Sequence, residues 1–288
     1  SFNAQDNGLL PLKVKVKKRL VNYTKIFYDY ELRKLVTTFE PDIIYWRFGP
    51  VPLLQRFNPK IKIIVESNSN IKIEKKSRKF LRQLAISVYL RKFNSICAGV
   101  VGVTPECMEG FQKIKYQKVI GNGIKLNQYT FEKALKNKQS QKQIQVVFVG
   151  SPDCPWHGID KIIKHFGNHS SLRLKIIGYD QYDDQTQKDL IPSNVTFKGY
   201  LDGKSLTNEL NDSTFALGSF AMERAGMNFS SSLKNRTYLQ YALPIIMQGS
   251  DIDLQKCPGV FSLPMNFTSE QVNETIDKIL MYSYSLQD

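Results

Sequence analysis

The feature that most constrains this chain is the alternation, twice over, of short apolar runs of strand length with segments of helical spacing. In the first series, residues 41–46 (Pro41-Asp42-Ile43-Ile44-Tyr45-Trp46), 61–66 and 98–103 read as strands. A helical stretch over residues 16–36 precedes them, and Thr104, Pro105 and Glu106 form an N-cap, first-turn proline and first-turn acid after the third. Lys118-Val119-Ile120 and Gly121-Asn122-Gly123 close the series with a strand and a turn. Residues 133–142 are lysine-rich and aperiodic, as expected of a linker. Beyond them strands are expected at 145–149, 172–177, 195–198, 215–220, 244–247 and 259–263, with helices at 159–166, 206–211, 232–241 and 269–281. Such alternation predicts an α/β protein with mostly parallel sheets covered on both faces. The expected architecture is two Rossmann-like domains, residues 1–138 and 139–288, with a cleft between them. Ligands of such sheets bind outside the strand carboxyl ends.

Charge separates the two halves. The net charge is +14, yet residues 1–140 hold 27 Lys and Arg against 10 Asp and Glu, whereas the remainder holds 13 against 16. The first half either carries a solubilising surface or faces something anionic, nucleic acid or an acidic membrane surface. Ile73, Phe80, Leu81, Leu84 and Val88 recur at helical spacing opposite Lys75, Lys76, Arg78, Lys79 and Arg82. That pattern fits a basic amphipathic helix at a membrane surface and equally a domain helix with a solvated outer face. No aromatic-interleaved RNA-binding pattern and no helix-turn-helix accompanies the charge, so no nucleic acid partner is expected. No run of about eighteen apolar residues is present, and the first twenty residues lack the apolar core of a signal peptide. Cys97, Cys107, Cys154 and Cys257 form no CxxC pair and are expected as reduced thiols of a cytoplasmic protein. His165 and His169 lie four apart without a third ligand, so no metal site is expected.

Two segments are suited to hold a ligand. The run Val147-Phe148-Val149-Gly150-Ser151, followed by Trp156-His157-Gly158, takes a strand into a glycine turn and then a helix start. Amides there would face an occupant of the cleft and favour phosphate, and His157 is placed to donate to it or to cap the helix. The second is Phe229-Ser230-Ser231-Ser232-Leu233-Lys234, a serine run with capping hydroxyls ahead of a helix. Lys234 falls in the first turn, where a cation is unfavourable unless an anion sits beside it. A lysine that snorkels to solvent gives the same sequence.

The chain resembles a retaining family 4 glycosyltransferase of the GT-B fold. The resemblance rests on Pro41 to Arg47, Val65-Glu66-Ser67-Asn68, Gly102 to Glu106, Ile120 to Ile124, Trp156-His157-Gly158 and the stretch from Ser232 to Ile246, in the family's order. It implies transfer of a hexose from a nucleotide-sugar, bound by the second domain, to a glycan or lipid-linked acceptor of surface-polysaccharide type, with no cofactor or obligatory metal. It places the diphosphate at the two segments above, against Lys234, with Arg224 as a helper and Gly150, Gly158, Ser230, Ser231, Ser232 and Leu233 around it.

The departures from the family pattern are specific. The two glutamates of its Glu-x7-Glu motif fall on Phe229 and Thr237, an arginine falls on Ser151, and a lysine falls on His157. Glu223 is the nearest acid that would supply a displaced carboxylate. Against the family pattern the sequence opens around Asn7-Gly8-Leu9-Leu10 and a basic helix, about two strands short, so either a preceding segment has been trimmed or a shortened first domain is expected. A non-catalytic GT-B-like binding or partner protein therefore stands as the alternative.

Overall fold

The structure is a computed structural model that describes residues 28–49, 51–76, 80–124, 144–181 and 191–285. The chain groups into two compact units, residues 1–44 with 49–62 and residues 45–48 with 63–288. In the smaller unit, helix α1 (Tyr30–Phe39) starts at Asp29, whose carboxylate accepts the amides of Glu31 and Leu32 at 3.1 Å each. It stops where Glu40, at φ 46°, returns its N–H to the Val36 carbonyl. Of the helix expected at 16–36, residues 16–27 lie outside the described residues, as does the expected linker. A cavity of about 400 Å³ in this unit is lined by both charge signs, Arg33, Arg56 and Lys60 with Glu40 and Asp42.

The first sheet runs in the order β1 (Ile43–Arg47), β2 (Lys62–Ser67), β3 (Gly99–Gly102), β4 (Tyr116–Val119). Strand β3 is parallel to both neighbours, with Gly99 opposite Ile64 and Tyr116. The expected basic helix is described over α2 (Ile71–Lys76) and α3 (Phe80–Ile96), with residues 77–79 between them outside the described residues. Its apolar stripe does not cover the sheet. Phe93 does so from the far end of α3, against Trp46 and Phe48 with ring centroids 6.2 and 5.2 Å away. Phe80, Leu81 and Leu84 are left 76%, 77% and 55% exposed.

The second sheet has six parallel strands in the order β12 (Val260–Leu263), β10 (Ile245–Gln248), β8 (Phe215–Leu217), β5 (Ile144–Val149), β6 (Leu172–Ile177), β7 (Val195–Phe197). The chain starts in the middle at β5, winds outward to β7, then returns to β8 and winds the other way. This is the Rossmann order, and its switch point lies between β5 and β8. Side chains of β5 alternate between two cores. Val146 and Phe148 pack with Ile162, Phe166, Ile176 and Ile276; Val147 packs with Leu210, Tyr238 and Leu243. Helices α4 (Ile159–Ile162, extended by a π turn over Ile163–Gly167) and α7 (Ser269–Ser285) supply the first core. Helices α5 (Gly203–Asn211) and α6 (Leu233–Gln240) supply the second.

Two departures from expectation bear on the site. The strand expected at 215–220 stops at Leu217, because Phe220 and Ala221 turn their amides to the carbonyls of His157 and Trp156, both at 3.1 Å. Residues read only as a serine-rich approach to a helix form a two-residue strand, β9 (Phe229–Ser230), parallel to β11 (Ser250–Asp251). Among the described residues, no helix is long and apolar enough to cross a membrane. The four cysteines are free thiols.

Candidate functional site

The turn after β5 sits at the switch point and is built by a close crossing of backbones. A Cβ on Gly178, after β6, would lie 1.9 Å from the Gly150 carbonyl oxygen, and Gly178 itself has φ +93°. A Cβ on Gly150 would meet Phe148 at 2.6 Å and the His157 ring at 2.8 Å. Glycine at both positions lets the chain pass while the two rings close around the turn. Three of the amides at this turn and helix start have backbone acceptors. Gly150, His157 and Gly158 donate to the carbonyls of Ile177, Cys154 and Pro155 at 3.0, 2.9 and 3.2 Å. Ser151 stands exposed beside them.

His157 is buried, 8% exposed, and is not the cap of α4, because Gly158 occupies that position. Its Nδ1 lies 3.0 Å from the Tyr179 hydroxyl, and that hydroxyl donates to the Ser151 carbonyl at 2.6 Å. Burial, reinforced by the charge of Lys234, brings the imidazole pKa down to about 3.

Lys234 occupies the first turn of α6 as expected, but its ammonium does not snorkel. It lies 4.3 Å from the centroid of the Phe148 ring, and Nζ is buried with no hydrogen-bond partner. The residue as a whole is only half-buried, so the stem reaches the surface while the charge is folded inward. Burial lowers its pKa to about 7. A cation–π contact is worth up to about 2 kcal/mol when desolvated, which is small against the cost of burying an ammonium without an anion. Ser232 occupies the N-cap position with extended dihedrals, yet its side chain caps nothing. The other two serines are also committed elsewhere. Ser231 Oγ accepts the Asn122 amide at 2.6 Å, and Ser230 donates to Asp251 at 3.5 Å. Helix α6 thus begins without a side-chain cap and with an unpaired cation in its first turn.

The remaining expected residues divide clearly. Arg224 forms a bidentate pair with Asp160 at 2.9 and 2.7 Å and reaches the Pro155 carbonyl at 3.2 Å. Glu223 pairs with Lys161 at 2.7 Å; burial opposes its ionisation, but the hydrogen bonds from Lys161, a backbone amide and Gln248, with the Lys161 charge, together outweigh it and its pKa stays below the ordinary value. The structure thus gives both residues protein partners. Phe229 is half-buried, with its amide held by Glu106 at 3.2 Å; Glu106 Oε1 also takes the Asn228 amide at 3.0 Å. Thr237 donates back to the Leu233 carbonyl at 3.1 Å, and Leu233 itself is exposed. His165 and His169 engage Ser269 and Ser171 through Nδ1 at 3.1 and 2.9 Å.

One cluster was missed by sequence reasoning. Arg236, 3% exposed, forms ion pairs with buried Asp251 and, at 2.6 Å, with Asp253, and its Nε donates to the Asn122 carbonyl at 2.8 Å. Asn122 in turn binds Ser231 through its backbone amide and its side chain. A Cβ on Gly121 would lie 1.7 Å from Asp253 Oδ2, which fixes glycine there. The only trace in the sequence was the Gly121-Asn122-Gly123 turn, whose partners lie more than a hundred residues away.

No protein-family model and no curated protein matches this chain. Solved structures do. Sucrose-phosphate synthase from Thermosynechococcus elongatus superposes with a TM-score of 0.59 at 14% identity, over 89% of this chain and 68% of that one. HepE from Anabaena, in complex with UDP-glucose, gives 0.57 at 15% identity, over 89% and 76%. A glycosyltransferase from Rickettsia africae gives 0.57 at 13% identity, over 95% and 79%. The fold is therefore GT-B, with two Rossmann-like domains, the fold of these glycosyltransferases. At such identities the likeness is one of fold.

Proposed function

We propose that the protein binds a nucleotide-sugar through its diphosphate and transfers a hexose to a glycan or lipid-linked acceptor, without an obligatory metal. The observation that carries this reading is the Lys234 ammonium, buried without a partner in the first turn of an uncapped helix, beside the turn at the sheet's switch point. An apolar residue would fill that space at lower cost, so a fixed cation there makes sense when an anion arrives. The complexes of HepE with UDP-glucose and with UDP support the choice of anion by analogy of fold. Titration calorimetry with UDP, GDP and their hexose conjugates tests it. Dissociation constants below the millimolar range are expected, and failure of all of them to bind would end the donor-site assignment.

A non-catalytic binding or partner protein is the second reading, favoured by Phe229 and Thr237 standing where the family pattern has carboxylates and by the engagement of Glu223 with Lys161. Binding of a nucleotide-sugar without turnover on lipid extracts would select it.

A cytoplasmic protein resting on an anionic membrane completes the proposal. Phe80, Leu81 and Leu84 share an exposed face of α3, in a sequence carrying Lys75, Lys76, Arg78, Lys79 and Arg82. Apolar insertion and basic attraction then act together. Cosedimentation with phosphatidylserine vesicles, weakened several-fold by Leu81→Asp or by high salt and absent with phosphatidylcholine alone, is the expected result. Equal binding to both vesicle types would remove the membrane from the proposal.

A further inference from the structure

Three hydrogen-bonding groups in a row fix the state of His157. The Tyr179 hydroxyl has one proton, and the Ser151 carbonyl, 2.6 Å away, takes it because a carbonyl can only accept. Toward His157 the Tyr179 oxygen is therefore an acceptor, so Nδ1, at 3.0 Å, carries the hydrogen. A neutral imidazole protonated at Nδ1 presents a bare lone pair at Nε2. Neutrality follows from the surroundings. The ring is buried and stands edge-on to Phe148 and Trp156, with centroids 5.4 and 6.0 Å away. Its ionisable neighbours are Tyr179, from the end of β6, and the positive Lys234, from α6. The side-chain hydrogen bond to the ring is the one at Nδ1, and the Ser151 backbone also faces the ring.

His157 and the Lys234 ammonium both pack against the Phe148 ring, and an acceptor on one with a charge on the other divides the work of the site. Phosphate oxygens are acceptors too and gain nothing from Nε2, whereas a hydroxyl on the same ligand does. We infer that His157 reads a hydroxyl group of the donor by accepting its hydrogen bond, and is not a cationic phosphate ligand. The inference rests on the donor-site reading above. The hydroxyl belongs either to the nucleoside ribose or to the transferred sugar. This is a specificity-determining role, and a neutral hydrogen bond of this kind is worth up to about tenfold in affinity.

The test compares wild type with His157→Ala and His157→Asn. Asparagine keeps a donor toward Tyr179 and lacks the Nε2 acceptor, which controls for loss of fold. Calorimetry uses inorganic pyrophosphate, which has no carbon-borne hydroxyl, the nucleoside diphosphate that the wild type binds, and its hexose conjugate. Pyrophosphate affinity is expected to stay within about twofold of wild type, while the conjugate loses about tenfold. If the free nucleoside diphosphate loses as much as the conjugate, the hydroxyl is on ribose; if only the conjugate loses, it is on the sugar. Independently, ¹⁵N-histidine spectra of the free protein should show a pyrrole-like Nδ1 and a pyridine-like Nε2 from about pH 5 to 8, the range in which an unperturbed histidine titrates. Equal losses for pyrophosphate and conjugate, or titration of His157 in that range, would overturn the inference and leave the donor site standing. A wild type that binds none of the three ligands removes the donor site itself, and this role with it.

Discussion

Lys234→Met is expected to raise the melting temperature of the protein and at the same time to cripple its binding of nucleoside diphosphates. Methionine fills the same space and makes a sulfur–aromatic contact with Phe148, while the buried ammonium without a hydrogen-bond partner disappears. Leaving such a group unsatisfied costs roughly 1–3 kcal/mol or more. Each kcal/mol regained is worth about 2–4 °C in a chain of this size. The loss in binding should be about ten- to a hundred-fold, the worth of one or two charge-assisted hydrogen bonds. Protons report the same coupling. Unfolded, Lys234 holds its proton up to about pH 10.5, whereas folded it releases it near pH 7. Between those values the unfolded state binds more protons, so this residue makes stability rise with pH across that window, and its penalty is complete below it. An arriving diphosphate favours the charged form again. Binding at pH 8 to 9 should therefore take up about one proton, seen as a calorimetric enthalpy that depends on the buffer's ionisation heat. Lys234→Met should abolish that dependence. A variant that melts lower than wild type would show that the ammonium is structural.

The largest loss of stability should come from Arg236→Met. This change leaves Asp251, 1% exposed, without its guanidinium and frees the Asn122 carbonyl. Breaking one side of a buried pair costs about 3–5 kcal/mol, because the remaining charge stays buried. The melting temperature should fall by roughly 6–20 °C. The double variant Arg236→Met/Asp251→Leu should recover most of that, since apolar replacements of a whole buried pair are often neutral. Thermal unfolding followed by circular dichroism checks both. A single-variant loss below about 1 kcal/mol would mean that Asp253 and solvent already satisfy the cluster.

The order of strands and helices was legible because each element carries its own periodicity over a handful of residues. Strand β5 alternates Val146 and Phe148 toward one core and Val147 toward the other, and the glycine after it marks the turn. The first turn of α6 and its lysine were legible for the same local reason. The state of those groups was not. The amides of Gly150 and Gly158 looked available until Ile177 and Pro155 supplied their acceptors. The serine hydroxyls looked like caps until Asn122 and Asp251 engaged two of them. His157 looked as ready to cap a helix as to meet a ligand until Gly158 took the cap position and Tyr179, twenty-two residues away, came within 3.0 Å of its Nδ1.

The sequence by itself therefore determined most of the elements, their order and the two-sheet α/β architecture, because these follow from spacing along one chain. Only the tertiary structure decided which polar groups remain unpaired. A hydrogen bond is settled by whichever partner the fold brings within about 3 Å, and burial sets the charge of what is left. That is how Lys234 came to be buried facing Phe148 without an anion, and how Arg236, an ordinary residue of a helix when read in sequence, came to hold Asp251 and Asn122 together.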